Sequence, residues 1–134
     1  MINLQKRKGI PSCKGYYISK VSDIRYHYDS MTELASMMIF DRKELKWIKN
    51  TKLRISYVFE KKQRKYIPDF IIDNHIIIEI KGSNDKPELP FKIEAARKYC
   101  MMNNMSYELI SYDEIKQQID WNIPKKYHYD NLNI

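Results

Sequence analysis

One stretch constrains this chain more than any other: YIPDFIIDNHIIIEIKG, residues 66–82. Its isoleucines and aromatics predict two strands, 66–72 and 76–81, joined by a short loop. Both faces of 70–80 are Ile-rich, as in a central strand covered on two sides. Asp69, Glu79 and Lys81 interrupt that pattern. Charges inside a two-sided strand pair are costly unless they are paired or bound to metal.

Loop length decides whether these charges meet. Directly opposed residues on antiparallel strands share a face. With a two-residue Asp73-Asn74 turn, Ile72 faces His75 and Asp69 faces Ile78, so Glu79 and Lys81 point away from Asp69. With a three-residue loop, Asp73-Asn74-His75, Ile72 faces Ile76 and Asp69 sits opposite Glu79. Lys81 then shares their face. A one-residue slip separates a site from no site. Asn tolerates the left-handed backbone a three-residue loop needs, but the apolar pattern fits both registers.

Two carboxylates about 4–5 Å apart across strands offer hard oxygen ligands to Mg²⁺, with the Ile80 carbonyl to complete the shell. An ion held there polarises a phosphodiester and lowers the pKa of a bound water. Lys81 can orient that water or stabilise charge developing on phosphorus. Phosphodiester hydrolysis is the chemistry such a cluster supports.

The rest of the chain reads as one domain, 16–120, between a basic N-terminal arm (1–15) and a C-terminal tail (121–134). Segments 16–19 and 24–28 form a hairpin. Ser30-Met-Thr-Glu33 is a capping box that starts a helix ending near Phe40. A short strand at 46–49, a half-buried strand at 53–59 and a basic turn at 61–65 lead into strand 66–72. After the 82–90 loop comes a helix, about 91–103, with Phe91, Ile93, Ala95, Ala96, Tyr99 and Met102 as its packed face. A strand at 107–111 and a helix at 112–120 follow, and the tail from Trp121 has no clear period. The order predicts an α/β fold with a partly antiparallel central sheet and helices on both faces.

Charge points to a polyanionic partner. There are 24 Lys+Arg against 17 Asp+Glu, a net +7. Lys6, Arg7 and Lys8 cluster in the arm, Lys61, Lys62, Arg64 and Lys65 in the basic turn, and Lys92, Arg97 and Lys98 on the later helix. With tyrosines interleaved, these are candidate DNA-backbone contacts. The apolar runs are too short to cross a bilayer and no apolar leader follows the N-terminal charges, so a soluble cytoplasmic chain is expected. Cys13 and Cys100 lack zinc-site spacing and read as free thiols. Of His27, His75 and His128, each a general base in principle, His75 falls in the loop at the far end of the strands from the charges.

Pro68-Asp69, nine residues, then Glu79-x-Lys81-Gly82 resembles the signature of the PD-(D/E)XK nucleases. "YDSMTEL" at 28–34 is similar to the first helix of two branches, the bacteriophage junction-resolving endonuclease I and the endonuclease subunit of heteromeric transposases. "FDRKELKWIKNTKLRISY" at 40–57 also resembles the transposase subunit. The Gln-x-x-x-Tyr motif of the exonuclease branches is missing, since Ala95 stands four residues before Tyr99. The resemblance implies a restriction-endonuclease-like core and a Mg²⁺-dependent DNA endonuclease, with Mn²⁺ as a substitute, its target open between branched DNA such as a four-way junction, slightly favoured, and a specific site in transposition, homing or restriction. It implies Glu33, Asp69 and Glu79 as metal ligands and Lys81 as the catalytic lysine. It further implies a homodimer, partner subunits if the chain is transposase-like, and a phage or mobile-element setting. The other class is a non-catalytic nucleic-acid binder that keeps the fold. The intact charged set argues against it, because a binder has no need of carboxylates beside phosphate.

Overall fold

The computed structural model of the chain describes residues 13–82 and 86–132. The basic cluster Lys6, Arg7 and Lys8 lies outside them. A β-hairpin comes first, β1 (Gly15–Ile18) against β2 (Arg25–Tyr28), as the alternating tyrosines predict. Gly15 is required there: a Cβ at this position would come within 2.5 Å of the Tyr28 hydroxyl.

Helix α1 (Met31–Arg42) starts at the predicted Ser30 cap, whose Oγ accepts the Glu33 N–H at 3.0 Å. Glu33 reaches back one residue further than a capping box requires, accepting the Asp29 N–H at 2.9 Å. The helix continues two residues beyond Phe40 because Asp41 is not a breaker here. Its buried carboxylate accepts from Tyr17 Oη (2.6 Å), Ser19 Oγ (2.7 Å), Lys20 N–H (2.7 Å) and Trp47 Nε1 (2.8 Å). That one side chain fastens the first hairpin to the end of α1 and to strand β3 (Trp47–Lys49).

The region 53–72 departs from expectation. Strand β4 (Ile55–Phe59) pairs with β5 (Lys62–Tyr66) in a separate two-stranded ribbon. The basic segment is therefore strand, and only Glu60 and Lys61 turn, both left-handed (φ 51° and 64°). Period-two alternation could not reveal this, since on β5 only Arg64 and Tyr66 turn inward while Lys62, Gln63 and Lys65 are exposed. The expected strand 66–72 is divided at Pro68, which has no N–H to give a ladder; β6 (Phe70–Ile72) begins after Asp69.

The main sheet has the order β3-β6-β7-β8, with β7 (Ile76–Lys81) antiparallel to β6 and parallel to β8 (Ser106–Ser111). Between β7 and β8 the chain crosses over through α2 (Leu89–Met102), giving a βαβ unit. The loop between β6 and β7 has three residues: Ile72 faces Ile76 and Phe70 faces Ile78. Asp73 and Asn74 are both left-handed (φ 52° and 61°), and the His75 N–H closes on the Ile72 carbonyl at 3.1 Å. This is the register that brings the charges together.

Cores lie on both faces of the sheet. On one, Phe70, Ile72, Ile78 and Trp47 pack with Leu34, Met37 and Phe40 of α1. On the other, Ile77 packs with Ala96 and Cys100 of α2 and with Ile55, Tyr57 and Tyr66 of the ribbon. Of the expected packed face of α2, Ala96 is buried and Ala95 and Tyr99 pack against the same cluster, which Cys100 joins; Phe91 and Met102 are corrected, being 47% and 83% exposed. Helix α3 (Tyr112–Gln118) contributes Ile115 to a third cluster with Ala35 and Ile39.

The expected tail is a helix. Residues Asn122–Asp130 form α4, which packs on α1 and buries Pro124 and His128. His128 Nδ1 lies 2.7 Å from the Tyr28 hydroxyl. Proline in a first turn sacrifices no intrahelical bond, and contact with α1 and the first hairpin supplies what the weakly helical NIPKKYHYD sequence lacks.

Candidate active site

Asp69 and Glu79 stand side by side on the α2 face, at the end of β6 and β7 away from the loop. The Asp69 carboxylate accepts the Ile80 N–H at 2.7 Å, which holds it beside Glu79, the residue before Ile80 on β7. The fit of Pro68 and Asn50 fixes this entry. Pro68 is fully buried, and Asn50 donates to the Pro68 carbonyl at 2.9 Å while its own N–H reaches the Asp69 carbonyl at 2.9 Å.

The pair is short of positive charge. Burial pushes the Asp69 carboxyl up to about 6, and the Glu33 charge adds to the rise against the Ile80 N–H, Lys49 and Lys92. Burial pushes Glu79 up to about 8, helped by the Asp69 charge and opposed by Lys92 and the Asp69 N–H. Glu79 Oε1 is buried with no hydrogen-bond partner. A buried, unpartnered carboxylate oxygen beside a second carboxylate suits a hard cation. These residues fit a divalent metal.

Two cavities meet at this pair. One, of about 500 Å³, is lined by Ser30, Thr32, Glu33, Asp69, Ile80 and Lys81. The other, of about 280 Å³, is bordered by Glu79, Ile80, Lys81 and Lys92. Lys81 thus borders both, on the strand face it shares with Glu79.

Glu33 lines the larger of these cavities with Asp69 but is engaged elsewhere. Its Oε1 lies 3.1 Å from Nζ of Lys49, a side chain only 18% exposed whose ammonium also reaches the His27 carbonyl (2.6 Å) and Asp29 Oδ2 (3.6 Å). Among the described residues, no three His, Cys, Asp or Glu side chains converge closely enough to hold one ion. Lys49 was missed from the sequence. The available signal was its place two residues after Trp47, on the buried side of an apolar strand, where a lysine needs a carboxylate.

The basic candidates divide. Lys92 lies under the Tyr57 and Tyr66 rings (5.8 and 5.4 Å), and its charge reaches both carboxylates. Arg64 pairs with Glu88 at 3.1 Å. Lys61, Lys62 and Lys65 are exposed on the β4–β5 ribbon. On α2, Arg97 lies 5.9 Å from the Tyr107 ring and Lys98 is 3.9 Å from Glu94. His75 caps its own turn, with Nδ1 2.9 Å from the Asp73 carbonyl. Cys13 and Cys100 are free thiols, and no helix of the described residues is long and apolar enough to cross a membrane.

A mixed sheet with a βαβ crossover, carrying Pro-Asp at the entry to β6 and Glu-x-Lys on the adjacent β7, defines a restriction-endonuclease-like nuclease core. The sequence model of the TnsA-like endonuclease N-terminal family matches residues 20–112, and the chain belongs to that family, the endonuclease-subunit type of heteromeric transposases. In comparisons with curated proteins and with solved structures, nothing matches the chain.

Proposed function

We propose that this chain is a Mg²⁺-dependent DNA endonuclease, with Mn²⁺ able to substitute, that hydrolyses phosphodiester bonds without a covalent intermediate. The observation that carries this reading is the Asp69–Glu79 pair, held together by the backbone and left with an orphaned oxygen at Glu79. Asp69, Glu79 and the Ile80 carbonyl would hold the ion. Bound there, it would supply Lewis-acid activation of the scissile phosphate and of water.

The chain's own residues do the remaining work. Lys81, at the junction of the two cavities, orients the attacking water and stabilises charge developing on phosphorus. Lys92 balances the carboxylate charge from the α2 side. The larger cavity, open between α1 and β7, receives the scissile phosphate. Lys61, Lys62 and Lys65 of the ribbon, with Arg97 and Lys98, contact the flanking backbone and make binding salt-dependent. Family membership favours nicking within a transposition-type reaction, with partner subunits choosing the target and a second copy supplying the paired cut.

The test is incubation with supercoiled plasmid and with a four-way junction, under Mg²⁺, Mn²⁺ or EDTA. Nicking that requires the metal and disappears in Glu79→Ala and Lys81→Ala supports the reading. Intact DNA binding without cleavage under either metal overturns it in favour of a non-catalytic binder.

A further inference from the structure

We infer that Lys49 is a built-in cation on the Glu33 side of the site, so that the site takes a single divalent ion and Glu33 is not among its ligands. The inference rests on the metal-dependent reading of the Asp69–Glu79 pair. It concerns the other half of the acidic set, where the structure is quite different.

Lys49 pairs with Phe70 across β3 and β6, one residue from Asp69. Its stem follows the same face as the buried Trp47, and its ammonium emerges where β2 ends and α1 begins. An ammonium has three N–H donors and no acceptor. Three oxygens surround this one: the His27 carbonyl at 2.6 Å, Glu33 Oε1 at 3.1 Å and Asp29 Oδ2 at 3.6 Å. Two carboxylates and a carbonyl form the donor set a hard metal ion would choose. Here the chain fills it with its own positive charge.

Glu33 is also tied from the other side. The same Oε1 accepts the Asp29 N–H at 2.9 Å, within the cap of α1. Both contacts fall on Glu33 Oε1, so that oxygen is already engaged by the chain itself. A divalent ion bound at Glu33 would meet a half-buried ammonium 3.1 Å from the same oxygen, and like charges at such range repel strongly outside bulk water. The Asp69–Glu79 pair has no comparable direct partner, because Glu79 Oε1 is unpaired. One half of the carboxylate set carries its cation covalently and the other half waits for one. Lys49 is accordingly a positioning residue: it fixes Glu33 and places a permanent positive charge beside the phosphate cavity that Glu33 lines.

Ion stoichiometry tests this without reference to cleavage. The metal-stripped chain is titrated with Mn²⁺ and free Mn²⁺ is read by electron paramagnetic resonance. The parent binds one ion, Lys49→Met binds two, and Lys49→Arg, which keeps the charge, binds one. Two ions on the parent, or one on Lys49→Met, overturns the inference while leaving a metal site at Asp69 and Glu79. No ion on the parent overturns both readings. If Lys49→Met does not fold, Glu33→Gln in the parent background decides. Glutamine keeps the cap, so one Mn²⁺ still binds, whereas complete loss of Mn²⁺ binding is the mark of a ligand and overturns the inference.

Discussion

Asp69 is set beside Glu79 across the β6–β7 hairpin, its carboxylate accepting the N–H of Ile80, the next residue along β7, at 2.7 Å. The backbone, not a counter-ion, fixes the pair. Two partly buried carboxylates set side by side in this way oppose folding whenever both are charged.

The stability of the metal-stripped chain follows in sign. Glu79 moves from 4.5 to about 8 on folding, and Asp69 from 3.8 to about 6. Between the ordinary and the raised values the folded state binds more protons than the unfolded state, so stability falls as pH rises. The penalty is absent below the ordinary carboxylate range and complete above the raised Glu79 value. Thermal melts in EDTA across that window are expected to show a falling Tm, and saturating Mg²⁺ is expected to flatten the curve. A Tm that rises or stays level through the window in EDTA would mean that the pair carries no charge penalty.

Neutralising Glu79 without changing its shape separates stability from chemistry. Glu79→Gln removes the unpaired buried charge and is expected to stabilise the metal-free chain by about 1–2 kcal/mol at alkaline pH. The gain should vanish in acid, where the parent is protonated too. The same variant is expected to lose Mn²⁺ binding and about 100-fold or more in nicking rate, the scale seen when a group stabilising transition-state charge is removed. Paired melts and plasmid assays on one preparation check both halves.

The register of β6 and β7 was legible as a choice between two loops, and the structure takes the odd-numbered one. That much could be read because Asp69, Glu79 and Lys81 had no other good reason to sit in an apolar run. Lys49 was not read because its partners, His27, Asp29 and Glu33, come from a hairpin and a helix that only tertiary packing brings to β3. The ribbon strand β5 was hidden by its exposed lysines, which resemble a solvated turn until the two left-handed residues before it are known. Helix α4 was hidden because its stability comes from α1 and Tyr28 rather than from its own composition.

The Glu60-Lys61 turn offers a local test of that ribbon. Both residues are left-handed between directly paired Phe59 and Lys62, the geometry of a type I′ hairpin turn. Side chains with a Cβ carry a penalty there that Asn-Gly avoids. Glu60→Asn with Lys61→Gly is expected to stabilise the chain by about 1 kcal/mol, read by urea denaturation. Loss of the Lys61 charge is expected to lower the salt dependence of DNA binding by roughly one phosphate contact. Destabilisation by the double change would mean that the ribbon turns some other way.

Asp41 provides the strongest structural prediction, because one carboxylate at the end of α1 satisfies four donors from the first hairpin and β3. Burial alone would raise its pKa. The hydrogen bonds from Tyr17, Trp47, Lys20 and Ser19 outweigh that and hold it below the ordinary value. Its contribution is therefore present at neutral pH and is lost as pH falls through the lowered value. Asp41→Asn keeps the shape but turns an NH₂ group toward donors, and is expected to cost about 2–4 kcal/mol, as when one partner of a buried charged network is removed. The loss should be directional. Amide exchange is expected to quicken first in the β1–β2 hairpin, which Tyr17, Ser19 and Lys20 anchor to Asp41. The same hairpin carries the His27 carbonyl that Lys49 grips, so loosening it should weaken the hold on Glu33 and slow nicking even where the chain remains folded. Hydrogen exchange that quickens evenly over the whole sheet would instead make Asp41 an ordinary core residue with no special claim on the hairpin.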